Sequence, residues 1–156
     1  MTCSYMTFTV ASERYGVALE DVREIITYKG FTKIPDSKPW IVGLIQTREQ
    51  TMPIIDLRIR FETEIKPLYN AETVIIATKI AQGKLLGLVV DMVEDIMTFE
   101  CEAFLSSEGI ETQFNSNLIK GHIQTPTGSI LILNHASFAP LNGLPSLVSI
   151  FEDKEK

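Results

Sequence analysis

The chain's whole stock of imidazoles and thiols is His122, His135, Cys3 and Cys101. Neither histidine stands at metal-ligand spacing from another His or Cys, so no zinc site can be written from them. A nucleophilic pair would need the fold to carry Cys101 to His122. A small thiol hydrolase built on those two is the enzyme hypothesis, and rapid labelling of Cys101 in the folded protein would be its mark. The segment AQGKLL (81–86) has a Gly-Lys step but lacks the first glycine and the hydroxyl residue of a phosphate loop. It reads as a hairpin turn. There is no G-x-S-x-G elbow and no G-x-G-x-x-G. Asp91, Glu94 and Asp95 have the types for a carboxylate pair or a cation site, although a solvated polar face is the plainer account.

With so little catalytic material, binding chemistry comes forward, and one turn stands out. GLIQTREQTMPIIDL (43–57) is echoed by GHIQTPTGSILILNH (121–135): Gly43, Ile45, Gln46, Thr47 and Ile54 recur as Gly121, Ile123, Gln124, Thr125 and Ile132. Pro126, Thr127 and Gly128 supply a fixed φ and a residue tolerant of positive φ. Arg48, Glu49 and Gln50 supply neither. Either those residues serve something besides closing a hairpin, or the turn is a plain solvated one. An exposed arginine offers a planar fork for carboxylates and an apolar stem for an interface.

The echo is part of a longer duplication. YGVALEDVREII (15–26) aligns without gaps on LGLVVDMVEDIM (86–97), at an offset of 71 against 78 for the first pair. Two related subdomains are the natural reading, roughly 15–66 and 72–138, with terminal strands open to exchange between them. Short β-branched and aliphatic runs (YMTFTVA, ETVIIAT, LLGLVVD, SILILN), separated by turns at 12–14, 82–83 and 126–128, predict many short antiparallel strands. Small barrels or a sandwich follow. Helical signals are brief: one turn in ALEDVREII, a short helix at 56–61, and a last one in NHASFAPL capped by Asn134 and ended before Pro140.

Bulk properties narrow the partners. At 156 residues the chain can bury roughly 70% of its unfolded surface, so it needs no metal or disulfide staple. Its net charge of -6 opposes nucleic acid and anionic lipid. The one basic cluster, Arg58 and Arg60, is flanked by Glu62 and Glu64. No apolar run approaches the ~20 residues that span a bilayer, and no secretory signal is evident, so direct membrane insertion is not expected. Two cysteines without framework spacing point to a reducing cytoplasm. Trp40, between Pro39 and Ile41, either caps a core or serves as a contact residue.

GLIQTREQTMPIIDLRIRF (43–61) resembles the signature of CheW-type proteins, where a Gly-apolar-apolar-Asn-Leu-Arg-Gly turn leads into an apolar-Pro-apolar-apolar-Asp-Leu-Arg strand end. RYGVALEDVREII and KIPDSKPWIVG are similar to that family's opening strands and Ile-Pro loop, and LLGLVVDMVEDIM to a strand of its second half. The likeness covers about residues 5 to 140. It implies an all-β fold of two intertwined, SH3-like, five-stranded barrels around a shared hydrophobic core, with a few short helices. It also implies a non-enzymatic cytoplasmic adaptor without cofactor or metal, recruited to membrane-associated receptor arrays. The partners implied are the cytoplasmic tips of methyl-accepting chemoreceptors and the regulatory domain of a CheA-type histidine kinase. By motif position Arg48, Glu24, Val22 and Glu49 fall on the receptor-binding surface, and Gly43, Ile34 and Pro35 on the kinase-binding one. Gln46-Thr47 stand where Asn-Leu is usual, and Glu49 replaces the turn glycine. The turn must therefore change shape, and a paralogue serving a twitching-motility or other chemosensory-like pathway is the alternative partner system.

Overall fold

The computed structural model describes residues 1–61, 68–106 and 118–139. Glu62, Glu64 and Pro140 lie outside them. Among the described residues eleven strands and one helical turn follow in order: β1 (Thr2–Val10), β2 (Glu13–Ala18), β3 (Val22–Thr27), β4 (Ile41–Gln46), β5 (Thr51–Asp56), α1 (Leu57–Arg60), β6 (Val74–Lys79), β7 (Leu85–Val90), β8 (Met92–Glu100), β9 (Phe104–Ser106), β10 (Ile119–Thr125) and β11 (Gly128–Leu133). Short 3₁₀ turns interrupt them at Leu19–Asp21, Ala81–Gly83, Cys101–Ala103 and His135–Phe138. The three helical segments read from sequence are thus single turns. Asn134 flanks the last of them without a side-chain cap, its carbonyl instead accepting from Ser137.

The strands form two sheets in the orders β3-β6-β7-β5-β4 and β8-β1-β2-β11-β10-β9. The sequence repeat is visible as geometry. β2, β3, β4 and β5 occupy in their sheets the places that β7, β8, β10 and β11 occupy in theirs. Yet the sheets do not follow the two halves of the sequence. β5 pairs in parallel with β7, placing Ile54 opposite Gly87, and β11 pairs in parallel with β2, placing Ile132 opposite Gly16. The echoed residues meet each other: a Cβ at Gly16 would lie 3.1 Å from Ile132 Cδ1, and one at Gly87 would collide with Ile54 Cδ1. Each half lends strands to the other's sheet, which is what intertwines the two SH3-like barrels.

Alternation explains the uniformly buried run LLGLVV. Leu85 and Val89 point with Met52, Ile54 and Ile75 into the interior of the five-stranded sheet. Leu86, Leu88 and Val90 point the other way, into a core that also takes Met6, Phe8 and Val17 from the six-stranded sheet and Phe138 from the last turn. A strand buried on both faces loses the apolar-polar alternation of a half-exposed one. A third cluster, Tyr5, Ile123, Ile130 and Ile132, fills the six-stranded barrel. Trp40 packs partly buried against the shared core with the Arg60 guanidinium 5.0 Å over its ring, so it caps the core.

One buried polar network ties these layers together. Asp56 accepts from the backbone N–H of Arg58 at 2.9 Å and takes the Arg58 guanidinium through both oxygens, at 3.0 and 2.9 Å. Tyr69 donates its hydroxyl to the same carboxylate at 2.6 Å. Burial, and then the hydrogen bond to anionic Asp56, push the Tyr69 phenol well above its ordinary pKa, against the opposing pull of Arg58. Below about pH 10 the phenol is protonated in both folded and unfolded chains, so its stabilising contribution is complete there. Above that pH the unfolded chain ionises first, and stability falls as pH rises toward the folded value. Tyr69→Phe should therefore lower the urea midpoint at pH 8 while reducing its decline between pH 10 and 11.5. An unchanged alkaline decline in the variant would disprove the assignment.

Candidate functional site

β3 and β4 are the two edges of the five-stranded sheet, and between them lies an open groove of about 1080 Å³. Its floor includes Ile26, Phe31, Leu44, Ile45 and Leu85, and its rim carries Arg23, Glu24, Lys29, Arg48 and Glu49. The barrel is partly closed at the far end by residue 32, whose backbone exchanges hydrogen bonds with Leu44 at 2.9 and 2.8 Å. The 3₁₀ turn Cys101–Ala103 and β9 do the equivalent work for the other sheet, β9 pairing with β10.

The turn between β4 and β5 is held by hydrogen bonds without glycine. Thr47 donates through its N–H and its hydroxyl to the Gln50 carbonyl, at 2.8 and 2.6 Å, and its Oγ1 accepts from the Gln50 N–H at 3.0 Å. Thr125 makes the corresponding hydroxyl bond to the Gly128 carbonyl at 2.6 Å. The shared threonine is the structural requirement of both turns. Glu49 is not among the positive-φ residues, so the left-handed strain of a glycine position does not arise. Gln50 reaches the β6–β7 turn instead, donating to the Gly83 carbonyl at 3.0 Å and accepting from the Leu85 N–H at 2.9 Å.

Three residues singled out in the sequence meet here. Arg48 and Glu24 stand on opposite rims, both exposed, and neither makes an ion pair or side-chain hydrogen bond among the described residues. Glu49 spans the groove to Arg23 at 3.0 Å, an exposed pair whose net contribution is of order 0–1 kcal/mol and which a partner can open cheaply. Val22 begins the same strand but is half-buried against the shared core, off the groove. Gly43 is buried: a Cβ there would lie 2.6 Å from Phe31 Cβ and 2.7 Å from the Thr32 carbonyl oxygen. Ile34 is 8% exposed and belongs to the shared core, while Pro35 beside it is exposed. Of the Ile-Pro pair only the proline offers surface.

The corresponding place in the six-stranded sheet is occupied. Arg14, at the repeat position of Leu85, donates to Glu94 at 3.2 Å, to Thr127 Oγ1 at 3.0 Å and to Met97 Sδ at 3.3 Å. Pro126 stands where the first sheet has Arg48. One barrel fills its cleft with an arginine, and the other leaves it open with a leucine below and charges at the rim. Sequence reasoning missed this contrast because the repeat was aligned from Tyr15 onward, one residue short of Arg14. It also passed over Lys29, whose connecting segment carries no motif.

The thiol hypothesis fails on connectivity. Cys101 is joined to Cys3 in a disulfide, their Cα atoms 5.2 Å apart. No free cysteine remains, so Cys101 cannot be a nucleophile for His122. The spacing gave no sign of this pairing, because a separation of 98 residues is closed only when β1 lies beside β8. His135 is buried, its Nε2 2.8 Å from the Lys79 carbonyl oxygen. The suspected carboxylate group is dispersed: Asp91 accepts from the Ala11 N–H and Glu94 pairs with Arg14. Among the described residues no three His, Cys, Asp or Glu could hold a metal ion, and no helix is long and apolar enough to cross a membrane.

Comparisons with known proteins agree with this geometry. A family model described as a CheW-like domain matches residues 4–140. The chain is 34% identical over 98 residues to the chemotaxis protein CheW of Klebsiella aerogenes, covering 63% of this chain and 58% of that one. It therefore aligns with less than two thirds of that relative's length. It is 31% identical over 116 residues to a probable chemotaxis protein CheW of Rhizobium etli, covering 74% of each. The crystal structure of the scaffolding protein TtCheW from Thermoanaerobacter tengcongensis superposes with a TM-score of 0.76 at 28% identity, over 86% of this chain and 90% of that one.

Proposed function

Because this chain belongs to the CheW-like family, we propose that it is a cytoplasmic, non-enzymatic adaptor that couples chemoreceptor tips to the regulatory domain of a CheA-type histidine kinase. The observation that carries the reading is the open groove at β3 and β4, with Arg48 on its rim unpaired among the described residues, set against a second barrel whose equivalent cleft Arg14 fills. A helical receptor tip can lay apolar side chains on Ile45 and Leu85 while its carboxylates meet Arg48 and Lys29. The second surface is the outside of the first barrel around Pro35, supported from within by Gly43 and Ile34. Simultaneous occupancy of the two surfaces raises the kinase's effective concentration at the receptor without chemistry.

Arg48→Ala should weaken pull-down of a receptor-tip fragment by about tenfold or more, the range of an interface arginine. Binding of the kinase regulatory domain should stay within about twofold. Equal loss of both in a variant with an unchanged circular dichroism spectrum would falsify the two-surface arrangement.

A further inference from the structure

The disulfide occupies a particular place in the six-stranded sheet. β8 forms one edge and β9 the other, and the 3₁₀ turn Cys101–Ala103 carries the chain between them. Cys101 therefore sits where that barrel closes. Up to Glu100 the chain is held by the β1–β8 ladder, which pairs Thr2 with Glu100 and Cys3 with Phe99. Beyond Glu100 the ladder ends. Apart from the disulfide, the corner is tied to the first residue by one backbone bond, Cys101 N–H to the Met1 carbonyl at 3.0 Å, and by an exposed ion pair from the Met1 amine to Glu100 at 3.7 Å. Among the described residues β9 runs over Phe104–Ser106 and pairs with β10. Cys3, Ala103 and Phe104 pack, partly buried, against the Tyr5, Ile123, Ile130 and Ile132 cluster that fills this barrel.

We propose that Cys3 and Cys101 are a thiol–disulfide exchange site whose state sets how firmly β9 and the closing turn are held. The setting rests on the cytoplasmic-adaptor reading, because in a reducing compartment a disulfide belongs to exchange chemistry rather than to permanent stapling. Both cysteines are only half-buried, which leaves a path for an attacking thiolate. A dithiol reductant attacks one sulfur, the S–S bond breaks and a mixed disulfide forms. The reductant's second thiolate then displaces the remaining cysteine. Cys3 and Cys101 take up two electrons and two protons, and the reductant leaves as its own disulfide. Oxidation by a disulfide donor reverses each step. Reduction leaves the β1–β8 ladder intact and removes the covalent tie from the corner that leads into β9.

The test equilibrates the purified protein in glutathione buffers of graded poise, maps the Cys3–Cys101 crosslink by mass spectrometry, and follows amide hydrogen exchange. On reduction, exchange at 101–106 and 121–123 should accelerate by about tenfold or more while β3 to β7 stay unchanged. The melting temperature should fall by roughly 5–10 °C. Cys3→Ser should show the reduced pattern in every buffer, and the reduced wild type serves as the reference if that variant folds poorly. Absence of the crosslink at all poises overturns the proposal. So does unchanged exchange at β9, or an acceleration spread evenly over both sheets. Receptor and kinase pull-downs in the same buffers report separately on the adaptor reading, which can fail while the thiol chemistry stands.

Discussion

Replacing Asp56 with alanine is expected to destabilise the protein by about 3–5 kcal/mol, a large share of the 5–15 kcal/mol that holds a typical domain together. The carboxylate is fully buried, and its partner Arg58 is only 8% exposed. Removing Asp56 leaves a buried guanidinium without its bidentate acceptor and the Tyr69 hydroxyl without its 2.6 Å partner. The contact from Arg58 to Asp91, at 3.9 Å and partly exposed, is too long and too wet to replace that bidentate pair. Because the Asp56 side chain also accepts from the Arg58 N–H, the entry into α1 is lost with it. Asp56→Asn keeps one oxygen for that N–H and should cost less than alanine. Urea unfolding of both variants checks the ordering, and a loss below about 1 kcal/mol for alanine would show that water enters and solvates the arginine.

This network also marks the boundary of what the sequence could reveal. The Asp-Leu-Arg strand end was visible at 56–58, but only the fold brings Tyr69 to Asp56, from 13 residues along the chain. The duplication was legible because Gly16, Gly43, Gly87 and Gly121 sit where backbone or side-chain atoms leave no room for a Cβ. Which strands are exchanged between the halves was not, since the pairs Ile54 with Gly87 and Ile132 with Gly16 are parallel and join distant segments. Arg48 was recognisable as a residue its turn did not need. Its setting was not, because the openness of the groove depends on Leu85 standing where the other barrel has Arg14, a contrast in space between two aligned positions. Within the Ile-Pro loop the division of labour was not legible either: the isoleucine is core and the proline alone is exposed.

The repeat also supplies an internal control for the kinase-facing surface. Gly43 and Gly121 are equivalent, each admitting a crossing segment at close range: Phe31 and Thr32 over Gly43, Phe104 and Leu105 over Gly121. Both interrupt the register of their strand at the same step, from Ile41 to Gly43 and from Ile119 to Gly121. Introducing valine at either site forces backbone apart, and each should cost about 1–3 kcal/mol or more. Gly43 is additionally at φ +156°, at the margin of the glycine-favoured range. If the kinase regulatory domain docks on the first barrel, Gly43→Val should abolish its binding. The variant must displace residues 31 and 32, and with them the connection to buried Ile34 and exposed Pro35. Gly121→Val perturbs the β9 crossing instead and should leave kinase affinity within about threefold once both variants are compared at a temperature where each is folded. Calorimetric titration with the isolated regulatory domain distinguishes the cases. Equal loss in both variants would mean that Gly43 acts through overall stability, and the kinase surface would then have to be sought away from the Ile-Pro loop.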